Sequence, residues 1–397
     1  MKSLSPSSLA TVRSLFVIVA ALVLPGVVSA QIIQIKKPTT IDLEPKKSAP
    51  KRRQPKPKST PASTQRAKKQ SEKVEPSNTA TTADVYYQQA EALYNSHKYS
   101  EALELYLKAT QIDPSMASAL YRIGWIYNDL NESNSAIAPL KRVVAMQPNN
   151  AAASFELGYA YKKLERFPEA LATFNQTIRI KPNYAAAHYQ IGWLYNEQKN
   201  YDEAVKSLSL ALLHRANDAE AHSELGYSLR NLGRYSEAVE EYQEALRLKP
   251  DMALAHFGLG DVYFSTKQYA EAAKAYKRGL ELNPGNATAR YNLGWSYNDL
   301  KRYSEAIEEL LKAIQLRPNY PEAYNELGYA LHQLGRYAEA IQRYQIALQQ
   351  KADYAAAHYN LGISYLAVYD REGALGQYRI LQRIDKARAE KLFNQIK

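Results

Sequence analysis

All three tryptophans of this 397-residue chain stand in one pattern, Gly-Trp-x-Tyr-Asn followed by an acid, at Trp125, Trp193 and Trp295. A tyrosine lies four residues before each and an asparagine three after: Tyr121 and Asn128, Tyr189 and Asn196, Tyr291 and Asn298. Residues three and four apart share a helix face, so each trio forms a stripe of two rings and an amide. Such a stripe is binding chemistry. Tyr and Trp bring large apolar area at little rotamer cost, and an amide pairs with a peptide backbone or a sugar hydroxyl. Rings at this spacing serve equally to pack one helix on the next, and spacing alone leaves both uses open. Acids gather nearby at Asp129, Glu156, Glu197, Glu224, Asp261, Asp299 and Glu326, partly offset by Arg122, Lys162, Lys163 and Arg230.

Other side chains suggest chemistry that their spacing does not support. His188, His222, His256 and His358 recur in register and resemble a ladder of metal ligands. Stacked helices lie ~8–10 Å apart whereas a zinc–nitrogen bond is ~2 Å, so equivalent positions are ill placed to share an ion. A packing role is expected. The glycines form no phosphate-binding loop, and the carboxylates recur periodically, as solvated helix faces do. No cysteine is present, which removes disulfides, thiolate metal sites and thiol nucleophiles. No catalytic residue, metal or cofactor is expected, and the chain does not read as an enzyme.

The elements that carry the stripe repeat every 34 residues. A small residue recurs at Ala90, Gly124, Gly158, Gly192, Gly226, Gly260, Gly294, Gly328 and Gly362. Twelve places later stands alanine in every unit, from Ala102 to Ala374, and proline closes most units, as at Pro114, Pro148, Pro182 and Pro250. Within one unit, His222, Leu225, Gly226 and Leu229 mark the buried face of a helix. Gly233 suits a left-handed cap, and a second helix should run from about Tyr235 until it stops before Pro250. Small residues where the two helices meet permit a close antiparallel approach. One such hairpin cannot bury its own apolar face, so units must stack. Leu392, Phe393 and Ile396 fit a closing amphipathic helix.

This period and motifs such as "ELGYSLRNLGRYSEAVEEYQEALRLKP" and "NLGWSYNDLKRYSEAIEELLKAIQLRP" resemble the tetratricopeptide repeat, or TPR, family. The resemblance implies an all-α solenoid, a right-handed superhelix of about nine helix-turn-helix repeats over residues 83–388 with a capping helix ending at 389–397. It also implies that the first helix of each unit lines a concave groove, which would place Trp125, Trp193, Trp295 and their Tyr and Asn neighbours there. Each Trp unit is followed by a unit reading Glu-Leu-Gly-Tyr, adding Tyr159, Tyr227 and Tyr329 to the same wall. Carboxylate-clamping members of the family carry Asn at the ninth place of the unit, the one held here by these Trp and Tyr residues. No unit here does, so a neutral or basic extended peptide fits better, as does a glycan.

Residues 1–30 combine Lys2 and Arg13, an apolar run and Val28-Ser29-Ala30, the parts of a secretory signal peptide. The apolar run falls short of the ~20 residues of a spanning helix, although an N-terminal membrane anchor is the alternative. Residues 31–82 hold seven prolines and thirteen Lys or Arg against four Asp or Glu. That composition suits a disordered basic linker, able to contact an anionic envelope surface or to act as a plain spacer. The expectation is an exported scaffold, periplasmic or secreted, holding an extended peptide of an unidentified envelope or secreted partner. A glycan-binding module of an envelope export system is the alternative, and no nucleic acid is expected.

Overall fold

The computed structural model describes residues 81–397, which form nine helical hairpins and a closing helix. The leader expected over 1–30 and the linker expected over 31–82 lie outside the described residues, apart from Thr81 and Thr82. The first helices of the hairpins are α1 (Thr82–Asn95), α3 (Ala117–Asp129), α5 (Ala151–Lys163), α7 (Ala185–Glu197) and α9 (Ala219–Asn231), continuing with α11 (Ala253–Ser265), α13 (Ala287–Asp299), α15 (Pro321–Gln333) and α17 (Ala355–Ala367). Their partners are α2 (Tyr99–Ile112), α4 (Ser133–Met146), α6 (Phe167–Ile180), α8 (Tyr201–His214) and α10 (Tyr235–Leu248), then α12 (Tyr269–Leu282), α14 (Tyr303–Leu316), α16 (Tyr337–Gln350) and α18 (Arg371–Ile384). The array closes with α19 (Lys386–Ile396).

Local chemistry sets the ends of these helices. At α1, Asp84 N–H donates to Thr81 Oγ1 and Thr81 N–H donates back to Asp84 Oδ2, a reciprocal cap. Inside each hairpin one residue takes a left-handed conformation: His97, Asn131, Glu165, Lys199, Gly233, Lys267, Lys301, Gly335 and Tyr369, with φ between 56° and 74°. The following amide then bonds back into the ended helix, as Asn200 N–H does to the Tyr195 carbonyl at 2.9 Å. Only two of these nine are glycine, the residue that adopts this conformation without strain.

The small-residue column brings the two helices of a hairpin together. A Cβ on Gly192 would lie 2.5 Å from Leu208 Cγ, and one on Gly158 would lie 2.8 Å from the Phe174 ring. The residue beneath alternates with the stripe above. Trp units place Leu140, Leu208 and Leu310 under their glycines, whereas the Tyr units that follow place Phe174, Tyr242 and Tyr344 there. A bulky ring on the stacking face therefore accompanies a smaller side chain between the helices, which conserves core volume.

Successive hairpins pack second helix on next first helix, and first helices also touch along most of the array, whereas second helices show no comparable contact with one another. The first helices thus form the inner wall. At the far end α19 packs on α17 and α18, burying Ala389, Leu392 and Ile396. Among the described residues no helix is long and apolar enough to cross a membrane.

Candidate functional site

Each indole stands on an inner-wall helix and leans on the hairpin before it. Trp125 meets Tyr94 and Tyr99 edge-on, with centroids 5.3 and 5.4 Å away. Trp193 meets Phe167 at 6.2 Å and carries the Lys162 ammonium 3.8 Å from its ring centroid. Trp295 meets Phe264 at 5.0 Å and Tyr291 at 5.8 Å. All three indoles are half-buried, so one side packs between units while part of the ring stays open.

The tyrosines divide by place. Tyr291 is buried against Tyr320, and Tyr121 and Tyr189 pack against core clusters, so the rings four residues before each Trp serve stacking more than the groove. Burial pushes the Tyr121 phenol up to about 12. Tyr159, Tyr227 and Tyr329 stay partly open on the wall, Tyr227 the most exposed of them.

The expectation that Asn128, Asn196 and Asn298 pair with a ligand needs correction. They are only 3%, 4% and 3% exposed, and each Nδ2 is committed to the next hairpin. Asn128 donates to the Glu156 carbonyl at 2.9 Å and to its Oε2 at 3.0 Å. Asn196 bonds Glu224 in the same way at 3.2 and 2.8 Å, and Asn298 bonds Glu326 at 3.1 Å to both atoms. The stack places each of these Asn residues against a glutamate 28 residues later, nearer than any visitor. Their carbonyl oxygens differ. Asn196 Oδ1 accepts from Ser228 Oγ at 2.7 Å, whereas Asn128 and Asn298 Oδ1 are buried without a donor. Ala160 and Ala330 stand where that serine would be.

Other polar clasps join neighbouring hairpins and absorb part of the wall's charge. Arg122 is paired with Glu91 at 2.8 Å, Arg230 with Asp261, and Lys162 donates to Gln190 Oε1 at 2.7 Å. Burial brings Lys162 down to about 8. Burial raises Glu156 and Glu224 above the usual carboxylate range and brings Glu326 to about 7. Asp129, Glu197 and Asp299 are exposed and form no ion pair among the described residues. Acids without an ionic partner therefore outnumber free bases on this wall.

A concavity lies on the wall. Between α3 and α5 lies a space of about 280 Å³, bordered by Trp125, Phe155 and Tyr159 together with Asn128, Asp129, Glu156 and Lys163. The place held by Phe155 is Ser223 in the next Tyr unit and Asn325 in the last. Asn325 Nδ2 donates to Glu326 Oε1 at 3.1 Å and so closes that carboxylate internally. Phe155, Glu156 and Lys163 were not nominated as binding residues from sequence, although Phe155 and Lys163 depart from the equivalent places of the other Glu-Leu-Gly-Tyr units.

The histidine column braces turns. His188, His222, His256 and His358 each donate from Nε2 to the carbonyl six residues earlier, at 2.8 to 3.0 Å, and Arg290 does so from Nε at 3.0 Å. His222 Nδ1 also meets Glu241 at 2.6 Å. Burial alone would lower this imidazole, but its hydrogen bonds to the Glu241 carboxylate and the Ala216 carbonyl, with the nearby negative charge, together outweigh burial and raise its affinity for a proton.

Family models described as "Tetratricopeptide repeat" match residues 83–116, 129–185, 163–225, 223–287 and 275–308, and a "TPR repeat" model matches 296–335 and 328–368. A search of curated proteins gives no match. Among solved structures, YrrB, a TPR protein with an unusual peptide-binding site, is 24% identical; the match covers 46% of this chain and 95% of YrrB with a TM-score of 0.42. MamA from Desulfovibrio magneticus RS-1 is 25% identical over 43% of this chain and 96% of its own, with a TM-score of 0.40. Pseudomonas aeruginosa pilF is 23% identical over 53% and 97%, with a TM-score of 0.46.

Proposed function

This chain belongs to the tetratricopeptide repeat family, a helical scaffold for protein–protein interaction, and from that premise we propose that its inner wall holds an extended peptide segment of another protein. The observation that carries this reading is the wall itself. Six ninth-place rings, Trp125, Tyr159, Trp193, Tyr227, Trp295 and Tyr329, remain partly open along it beside carboxylates that have no ionic partner. Rings supply contact area and the surplus negative charge favours a neutral or basic segment. Because the Asn amides are used within the stack, backbone pairing falls to the exposed acids instead. What supports an envelope or secreted partner is the leader-like pattern of residues 1–30.

Every tryptophan reports from this wall, so intrinsic fluorescence tests the reading. Titration with pools of extended neutral or basic peptides should shift emission, and Tyr227→Ala should weaken binding by roughly tenfold, as loss of an aromatic anchor does. A response to envelope polysaccharide with none to peptides would overturn it. For the export half, mass spectrometry of the chain from an envelope fraction should find Gln31 as the mature N-terminus. An intact leader in the membrane fraction would instead indicate an anchor.

A further inference from the structure

We propose that the cavity between α3 and α5 receives a basic side chain, lysine or arginine, from the bound peptide. The proposal rests on the peptide-binding reading above and adds what one position of that peptide must be. Three observations converge on it.

The walls suit a cation. Trp125 and Tyr159 border the cavity with Phe155, and aromatic faces attract ammonium and guanidinium groups, more strongly where water is excluded. A volume of about 280 Å³ accommodates either head group and the end of its stem.

The floor also lacks a counterion. Glu156 Oε2 accepts from the Asn128 amide, while Oε1 receives no hydrogen bond among the described residues. Burial has raised this carboxyl's affinity for a proton, so an arriving positive charge relieves a desolvated acid. Asp129 at the rim adds a second acid without an ion pair among the described residues. The other Trp–Asn–Glu junctions differ here: Asn325 fills the free valence of Glu326, and at Trp193 a cation is already resident, with Lys162 over the ring.

The one base on the cavity's border reports the same preference. Lys163 Nζ reaches Asn131 Oδ1 at 3.2 Å and lies 5.6 Å from the Tyr159 ring centroid. It is exposed and holds no carboxylate, so a better-placed ligand cation can displace it. This gives the test its sign. A receptor for cations is improved by removing Lys163, and a receptor for anions is ruined by it.

Pools of short extended peptides with one central arginine, lysine, citrulline or glutamate among neutral residues are titrated against the chain, with tryptophan emission and calorimetry as readouts. The arginine and lysine pools should bind roughly tenfold more tightly than the citrulline and glutamate pools. Asp129→Asn should erase most of that preference, weakening the arginine and lysine pools far more than the citrulline pool, and Lys163→Gln should enlarge it. Both residues are exposed, so neither variant should alter the melt. Equal binding of all pools would sink the cation pocket and leave the peptide groove standing. Preference for the glutamate pool, lost with Lys163→Gln, would reverse the assignment. Silence from every pool would remove the peptide reading itself.

Discussion

The junction of α3 with α5 and that of α13 with α15 are built from the same parts, yet they leave their buried glutamates in different states. Both carry Trp, Asn and Glu in equivalent places, and both commit the Asn amide to the next hairpin's glutamate. They part at three places, where Asn131, Phe155 and Lys163 of the first are Lys301, Asn325 and Gln333 of the second. Phe155 leaves Glu156 Oε1 uncovered beside an aromatic recess, whereas Asn325 donates to Glu326 and shuts it. In an array this regular, the repeated Asn–Glu pairs hold hairpins together, and the proposed selection of a basic side chain rests on where one repeat departs from its siblings.

The largest expected effect sharpens the shared half of that comparison. Gly124→Leu and Gly294→Leu should each cost about 3 kcal/mol or more in urea unfolding, and by similar amounts, because a Cβ at either site would come within 2.4 and 2.6 Å of Leu140 and Leu310. A large inequality would mean that the two hairpins are not packed alike.

A second experiment probes the half that differs. Glu326, with a folded-state pKa of about 7, binds a proton more tightly than in the unfolded chain. Between pH 5 and 8 the folded form therefore holds more protons than the unfolded form, and stability falls as pH rises, by on the order of 2 kcal/mol. Glu326→Gln should flatten that slope. Glu156→Gln should flatten it less, since its carboxyl borders an open recess. If both variants leave the slope untouched, the titration lies elsewhere.

The smallest effect concerns the orphaned oxygens. Ala160→Ser and Ala330→Ser should each add about 0.5–1 kcal/mol by giving Asn128 and Asn298 Oδ1 the donor that Ser228 gives Asn196. Ser228→Ala should lose a similar amount. A destabilising serine at 160 or 330 would show that the hydroxyl rotates away.

Most of the architecture was legible because it depends on residues counted along one chain. The period, the second helix bounded by Tyr235 and Leu248 and the closing helix with Leu392 and Ile396 buried all follow from short-range pattern. The shared face of Trp125, Tyr121 and Asn128 was legible for the same reason. What Asn128 does was not, because its partner lies 28 residues away, across a stacking register that helix periodicity does not contain. A signal was nevertheless present: in each of the three Trp units a glutamate follows its asparagine at that interval, at Glu156, Glu224 and Glu326. The alternation of Leu140 with Phe174 under the glycines was equally available as a sign that ring volume is being balanced. The recess beside Phe155 had no such internal echo, since it exists by exception.

By lying across α17 and α18, α19 supplies the surface that a tenth hairpin would otherwise have provided. A further hairpin could stack on that face of α17 and α18 only by first peeling the helix away.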